Sequence, residues 1–200
     1  MAAQINGLTR TLQWTDFATR TMAAPAEGEE GSAAYTNAGF QFQRNAQISW
    51  VSGSNPDQYR IEDNFIMSVV LVQQSPDPEQ VSWVASWVSS QAAPERTALL
   101  NHERGHYALI ALIARDCFNE LRALISNRYG SVSEAQDAWN AIVAKFQGKT
   151  QSIQNTYDSD QQTRHGFNRS LQTIWDGYIS QSRTNTTPIL TVLTSAGITV

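Results

Sequence analysis

The segment His102-Glu103-Arg104-Gly105-His106 sets two imidazoles four residues apart with a carboxylate one step round from the first. Residues at that spacing share one face of a helix, so both rings can be turned on a single ion. Glu103 then reaches a water activated by that ion rather than the ion itself. Zinc lowers the pKa of such a water toward about 7, and the pattern predicts Glu103 as the general base that takes its proton and delivers it to a leaving amine. Two histidines and a glutamate also meet on a helix by chance. The setting argues for a metal: the motif runs straight into Tyr107-Ala-Leu-Ile-Ala-Leu-Ile-Ala114, where an unpaired imidazole or carboxylate is costly.

A hydrolytic zinc site takes three protein ligands and leaves a position for water, so a third ligand is expected from elsewhere in the chain. Six residues past His106 stands Leu112, which removes one common arrangement. Glu120 continues the same helix and at a rise of about 1.5 Å per residue lies roughly 21 Å from His106, too far to ligate. Glu134 and Asp137 open the next helix and read as first-turn residues complementing its dipole. His165 is the remaining histidine, in the polar connection Tyr157-Asp-Ser-Asp-Gln-Gln-Thr-Arg-His165-Gly166, and it is the preferred third ligand with Asp158 and Asp160 behind it. A solvated surface histidine is the plain alternative. Tyr157 has the chemistry to donate to the oxyanion of a tetrahedral intermediate, although an aromatic residue near a helix end also serves packing.

These residues need a scaffold. Pro94 to about Arg128 reads as one long helix, with proline at a first helical position and good helix formers interrupted only by Gly105. Its middle is apolar on every face, which predicts a central helix surrounded by the rest of the protein. Ser133-Glu-Ala-Gln136 resembles a capping box, and Ala135, Ala138, Trp139, Ile142, Val143 and Phe146 recur behind it at helical spacing toward about Tyr157. A third amphipathic segment is expected to turn Leu171, Ile174, Trp175 and Tyr178 to one face, and Pro188 to Val200 to close as a short β pair. In the first half, Tyr35 to Gln43, Ala46 to Val51 and Asn64 to Gln74 read as strands, Met22 to Gly31 as an exposed loop, and Gln80 to Val88 as either short helix or strand. Strands first and helices later make an α+β fold, with a small N-terminal sheet packed beside the active helix.

With 200 residues the chain suits one domain, spanning 1–200. Charged residues form only 16% of it, and the net charge of −4 is spread without a basic run, so nucleic acid is not an expected partner. No run approaches the roughly 18 to 20 apolar residues of a bilayer span, so no membrane span is expected. Cys117 is the single cysteine, which rules out an internal disulfide framework and a cysteine-rich zinc site, and it reads as a buried small hydrophobe. The start Met1-Ala-Ala-Gln-Ile-Asn has neither the basic segment nor the apolar core of a secretion signal. Two compartments stay open: secretion or the periplasm with a leader absent from this chain, or the cytoplasm.

Beyond chemistry and pattern, three segments carry a resemblance. They are Leu12-x-Trp14-x-Asp16-Phe17, then Ala33-Ala-Tyr-Thr36-Asn-Ala-Gly39-Phe-x-Phe42, and Leu99-Leu-Asn-His-Glu-Arg-Gly-His-Tyr107; Tyr157-Asp158, Thr163-x-His165-Gly166, Asn168, Gln172 and Trp175 extend it. Together, over about residues 8 to 178, they resemble the predicted secreted zinc-dependent proteases of bacteria, domain of unknown function nine-two-two. The resemblance implies a zincin-like fold and a zinc metallopeptidase whose ligands match His102, His106 and His165, with Glu103 at the catalytic position.

The expected function is therefore a zinc-dependent metallopeptidase acting on peptide or protein substrates, with strand Asn64 to Gln74 or a neighbour at the sheet edge holding an extended substrate. Two other readings keep the same residues. In one, zinc closes a structural site in a binding module; in the other, the scissile amide is not a peptide bond. Oligomeric state has no signature in the sequence.

Overall fold

The run Tyr107 to Ala114 sits in the middle of α1 (Ala93–Ala123), and every residue of it is buried. The computed structural model describes residues 2–25 and 33–200. Around α1 pack two strands of a sheet, β4 (Ala38–Arg44) and β7 (Ile66–Leu71), and three further helices, α2 (Val132–Asp158), α3 (Arg169–Asn185) and α4 (Ile189–Ser195). The expected surrounded helix is thus present, and the fold is a mixture of α and β with small sheets.

In the first sheet β7 is the middle strand, parallel to β1 (Gln4–Asn6) and antiparallel to β4. Its pattern of near-continuous burial fits a strand covered on both faces. A second sheet places β8 (Trp83–Ala85) between β2 (Ala18–Arg20) and β3 (Ala34–Tyr35), and β5 (Ile48–Trp50) pairs with β6 (Tyr59–Ile61). The expected strand from Tyr35 to Gln43 is in fact β3 and β4, separated by Thr36 and Asn37. Gln80 to Val88 resolves into β8 between two single-turn 3-10 helices, Pro78–Gln80 and Ser86–Ser90. Most of the expected loop Met22 to Gly31 lies outside the described residues; Met22 to Pro25 is irregular.

Three local readings are corrected. The cap of α2 is Ser131, whose hydroxyl accepts from Glu134 N at 3.1 Å, so the capping residue stands two positions before Ser133. Pro188 to Val200 contains α4 rather than a β pair, because Ile189, Val192 and Leu193 fall at helical spacing and are buried on one face. On α3 the inward face is Gln172, Trp175, Ile179 and Ser182, with Ile174 turned outward. Cys117 is buried as expected, and burial pushes its thiol up to about 12. Among the described residues no helix is long and apolar enough to cross a membrane.

The geometry that matters for a site is the helical hairpin. α1 and α2 pack together through a short connection, so α2 returns antiparallel and its last turn comes back beside the His102 to His106 turn of α1.

Candidate metal centre

His102 and His106 are buried on the inner face of α1, and their rings meet edge to face at 4.7 Å between centroids. Their Nε2 atoms lie 3.1 Å apart, and Oδ1 of Asp158 lies 3.0 Å from each. The other ring nitrogens are engaged: His102 Nδ1 is 3.0 Å from Gln172 Oε1, and His106 Nδ1 is 2.6 Å from Gln154 Oε1. Gln172 has its orientation set by its amide NH₂, which donates to Tyr157 Oη at 2.6 Å and Asp176 Oδ1 at 2.9 Å.

The hydrogen-bond arithmetic is informative. An amide oxygen only accepts, so each Nδ1 carries the proton and each Nε2 presents a lone pair. Two such lone pairs and a carboxylate oxygen converge on one point without a donor among them. That arrangement is stable when it takes up a proton or a cation. His102, His106 and Asp158 are the group of described residues able to hold a metal ion. Proton uptake is the competing option. Burial alone lowers the His106 pKa, but the hydrogen bond and charge of Asp158, with Glu103 nearby, outweigh it and raise it to about 9. Burial likewise pushes the Asp158 carboxyl up, and the hydrogen bonds from His102 and His106 overcome that and hold it well below the usual carboxylate range.

Glu103 is buried and faces a cleft of about 490 Å³ that also exposes His102, His106 and Asp158. Thr36, from the link between β3 and β4, donates its hydroxyl to Glu103 Oε2 at 2.6 Å.

The remaining expected residues are placed differently. Asp158, not His165, stands at ligand distance. His165 lies at the cleft rim with its side chain 67% exposed and its Nδ1 3.6 Å from Asp158 Oδ2. The cause is the backbone: Arg164, His165 and Gly166 all adopt positive φ, and His165 N–H donates to the Asp158 carbonyl, a turn that carries the imidazole outward. Gly166 is required where it is, since a Cβ there would lie 2.9 Å from His102 Cβ. Asp160 has no part in the cluster.

Tyr157 also departs from its expected role. Its phenol is fully buried behind the histidines, donating to the His102 carbonyl at 3.3 Å while its ring stacks on His102 at 4.7 Å and 10°. Burial drives its pKa far up. It braces the motif from behind and does not face the cleft, so it has no access to an oxyanion there. Gly105 makes room for it: a Cβ at that position would fall 2.0 Å from Tyr157 Oη. Arg104 is tied to the N-terminal segment, donating to the Leu12 carbonyl at 2.8 Å.

Sequence reasoning gave no role to Thr36, Gln154 or Gln172. A signal existed for Gln154, which precedes Asp158 by one helical turn on α2 and so shares its face. Thr36 and Gln172 lie in the segments that carry the family resemblance. No protein-family model, curated protein or solved structure matches the chain.

Proposed function

We propose that this protein is a zinc-dependent metallopeptidase of zincin type, akin to the predicted secreted proteases of domain family nine-two-two, with His102, His106 and Asp158 as the ligands. The observation that carries the reading is Glu103. It is a buried carboxylate beside three converging donor atoms, held through one oxygen by Thr36 and opening on a cleft. A structural zinc site closes with four protein ligands and has no use for such a group, whereas three ligands and an adjacent base suit hydrolysis. Support for the family comes from convergence: Thr36, Glu103, Asp158 and Gln172 belong to separate segments of the resemblance and meet at one place.

Zinc, when bound, supplies polarisation of the scissile carbonyl and acidification of water. The chain's own groups do the rest. Glu103 accepts a proton from the attacking water as the new C–O bond forms, and gives it to the departing nitrogen as the C–N bond breaks. Thr36 holds Glu103 Oε2 and so fixes which oxygen faces the substrate. Gln172 and Gln154 fix the ring tautomers, and Tyr157 holds the His102 turn in register.

Among the described residues an unpaired sheet edge borders the cleft. The expected strand Asn64 to Gln74 is the middle strand β7, paired on both sides, so it cannot receive a substrate. β3 is the edge strand, and Ala33 to Ala38 line the cleft. Ala33 O accepts from Ala85 N at 2.8 Å, so the alternation of an antiparallel ladder turns the N–H and C=O of Ala34 away from β8. An extended peptide would pair there.

The test compares zinc-loaded wild type with Glu103→Gln on a mixed peptide library. Retained zinc with cleavage reduced about 10²- to 10⁴-fold is expected from loss of a general base. Equal cleavage, or none by either protein at full zinc loading, would defeat the reading and leave a structural zinc module.

A further inference from the structure

A second cavity of about 120 Å³ opens off the cleft, sharing Ala33, Leu99, His165 and Phe167 with it. Its walls are apolar: Trp87 and Val88 from the 3-10 turn after β8, Leu99 from α1 and Phe167 from the loop before α3. Arg169 is paired to Glu95 at 2.7 Å on its border, so among the described residues no unpaired carboxylate is left there to recognise a cation, while Arg96 adds a positive charge on the α1 side. Phe167 stands on the rim with its ring 54% exposed, within reach of a group entering the cavity.

Position relative to Glu103 sets what reaches this cavity. Leu99 precedes Glu103 by four residues, about 6 Å along α1. An extended chain advances about 3.4 Å per residue. A substrate on the β3 edge with its scissile bond at Glu103 would thus bring to this cavity a side chain one or two residues from that bond.

We infer that the Trp87, Val88, Leu99 and Phe167 cavity is the specificity pocket of this site, and that it selects peptides carrying an aliphatic side chain of leucine or methionine size within two residues of the bond cut. The inference rests on the hydrolase reading above. Removing a whole aliphatic side chain from a fitted pocket is expected to weaken recognition about 10- to 200-fold, the range found for apolar contacts in enzyme pockets.

The experiment measures binding as well as cleavage, so that the two readings fail separately. Zinc-loaded Glu103→Gln is titrated by fluorescence anisotropy with labelled ten-residue peptides, all alanine except for one leucine, methionine, lysine or glutamate moved along the chain. Cleavage of the same peptides by wild type is mapped by mass spectrometry. At one register, leucine and methionine are expected to bind at least tenfold tighter than alanine, and lysine no better than alanine. Trp87→Ala should flatten that preference, and Gln91→Lys, an exposed change on the pocket wall, should shift it toward glutamate while leaving the zinc content unaltered. Equal binding of all peptides, or a leucine preference untouched by both variants, would overturn the pocket even if cleavage is observed. A leucine preference without cleavage by wild type would keep the pocket and defeat the hydrolase.

Discussion

Two buried polar clusters sit on α1, a few turns apart, and they are built on opposite plans. At Arg115 and Asp116 the hydrogen bonds close. Asp116 Oδ1 accepts from Arg115 Nε and Nη2 at 2.9 and 2.7 Å, and Oδ2 accepts from Ile189 N at 2.8 Å. Arg115 spends its other donors on Ser182 O at 2.8 Å, Ser182 Oγ at 3.0 Å and Thr187 O at 2.9 Å. Donors meet acceptors, and the result fastens α3 and α4 to α1. At His102, His106 and Asp158 acceptors meet acceptors. The first cluster is complete as protein; the second becomes complete by taking something up. Burial depth does not separate the two, since each joins buried residues to one half-buried member, Arg115 in the first and Asp158 in the second. The balance of donors and acceptors does.

Breaking either cluster gives different losses. Asp116→Ala strands the Arg115 guanidinium and is expected to cost about 3 to 5 kcal/mol, or roughly 6 to 20 °C in Tm for a chain of this size, with zinc content unchanged. Calorimetry and elemental analysis on one preparation decide it; a loss of zinc there would join the clusters into one. Asp158→Ala should reverse the pattern. Zinc at a thousandfold excess over its Kd stabilises wild type by about 4 kcal/mol and should add nothing to that variant, whereas His165→Ala keeps the response. If His165→Ala loses it instead, the exposed histidine is a ligand. One shell further out, Gln172→Ala should weaken zinc about 10- to 100-fold by freeing the His102 tautomer, read by competition with a chelating dye.

Proton competition gives a subtler contrast. With zinc removed by chelator, His106 has a raised pKa, so its contribution is full below its unfolded value of about 6.5 and is lost as pH rises through about 9. Asp158 has a lowered pKa, so its contribution is present above about 3.8 and is lost as pH falls through its folded value. Chelated protein should therefore melt at a lower temperature at pH 9 than at pH 6, and the gain in Tm on adding zinc should grow over that interval as protons leave the ligands. A gain independent of pH would mean that these imidazoles do not take the ion. Smallest of all, Lys145→Ala removes an exposed pair with Glu120 at 2.7 Å and should change stability by no more than about 1 kcal/mol.

The long helix was legible because Pro94 marks its start and an all-round apolar run admits only a surrounded position. So was the pair His102 and His106, whose spacing is its own explanation. The third ligand was less so. Ranking His165 above Asp158 followed residue chemistry, but the position was decided by backbone: α2 extends to Asp158 and delivers it on a helix face, while a turn of left-handed residues sends His165 outward. Tyr157 was visible as important and misread in role, since nothing in its neighbours tells whether a helical phenol faces the cleft or the core. Thr36 and Gln172 reach the site from distant segments, contacts that no local pattern encodes. Strands of three residues, such as β1 and β2, are too short for alternation to register, and Ile189 to Ser195 is rich in β-branched residues that favour strands by propensity alone.

The hairpin of α1 and α2 also bears on how the molecule folds. His102, Glu103, His106, Gln154, Tyr157 and Asp158 all belong to two sequence-adjacent helices, so the three residues able to hold an ion need none of the sheets in order to meet. The turns that meet there lie 56 residues apart in sequence, close to the 62 that separate Gln4 of β1 from Ile66 of β7, so separation alone does not rank the two contacts. A cation that joins α1 to α2 before the sheets form would raise the rate at which the chain folds, and one that binds only the native state would act on unfolding alone. Stopped-flow refolding with and without chelator separates the two, and tells whether the hairpin makes metal supply a condition of how fast the protein matures or only of how long it lasts.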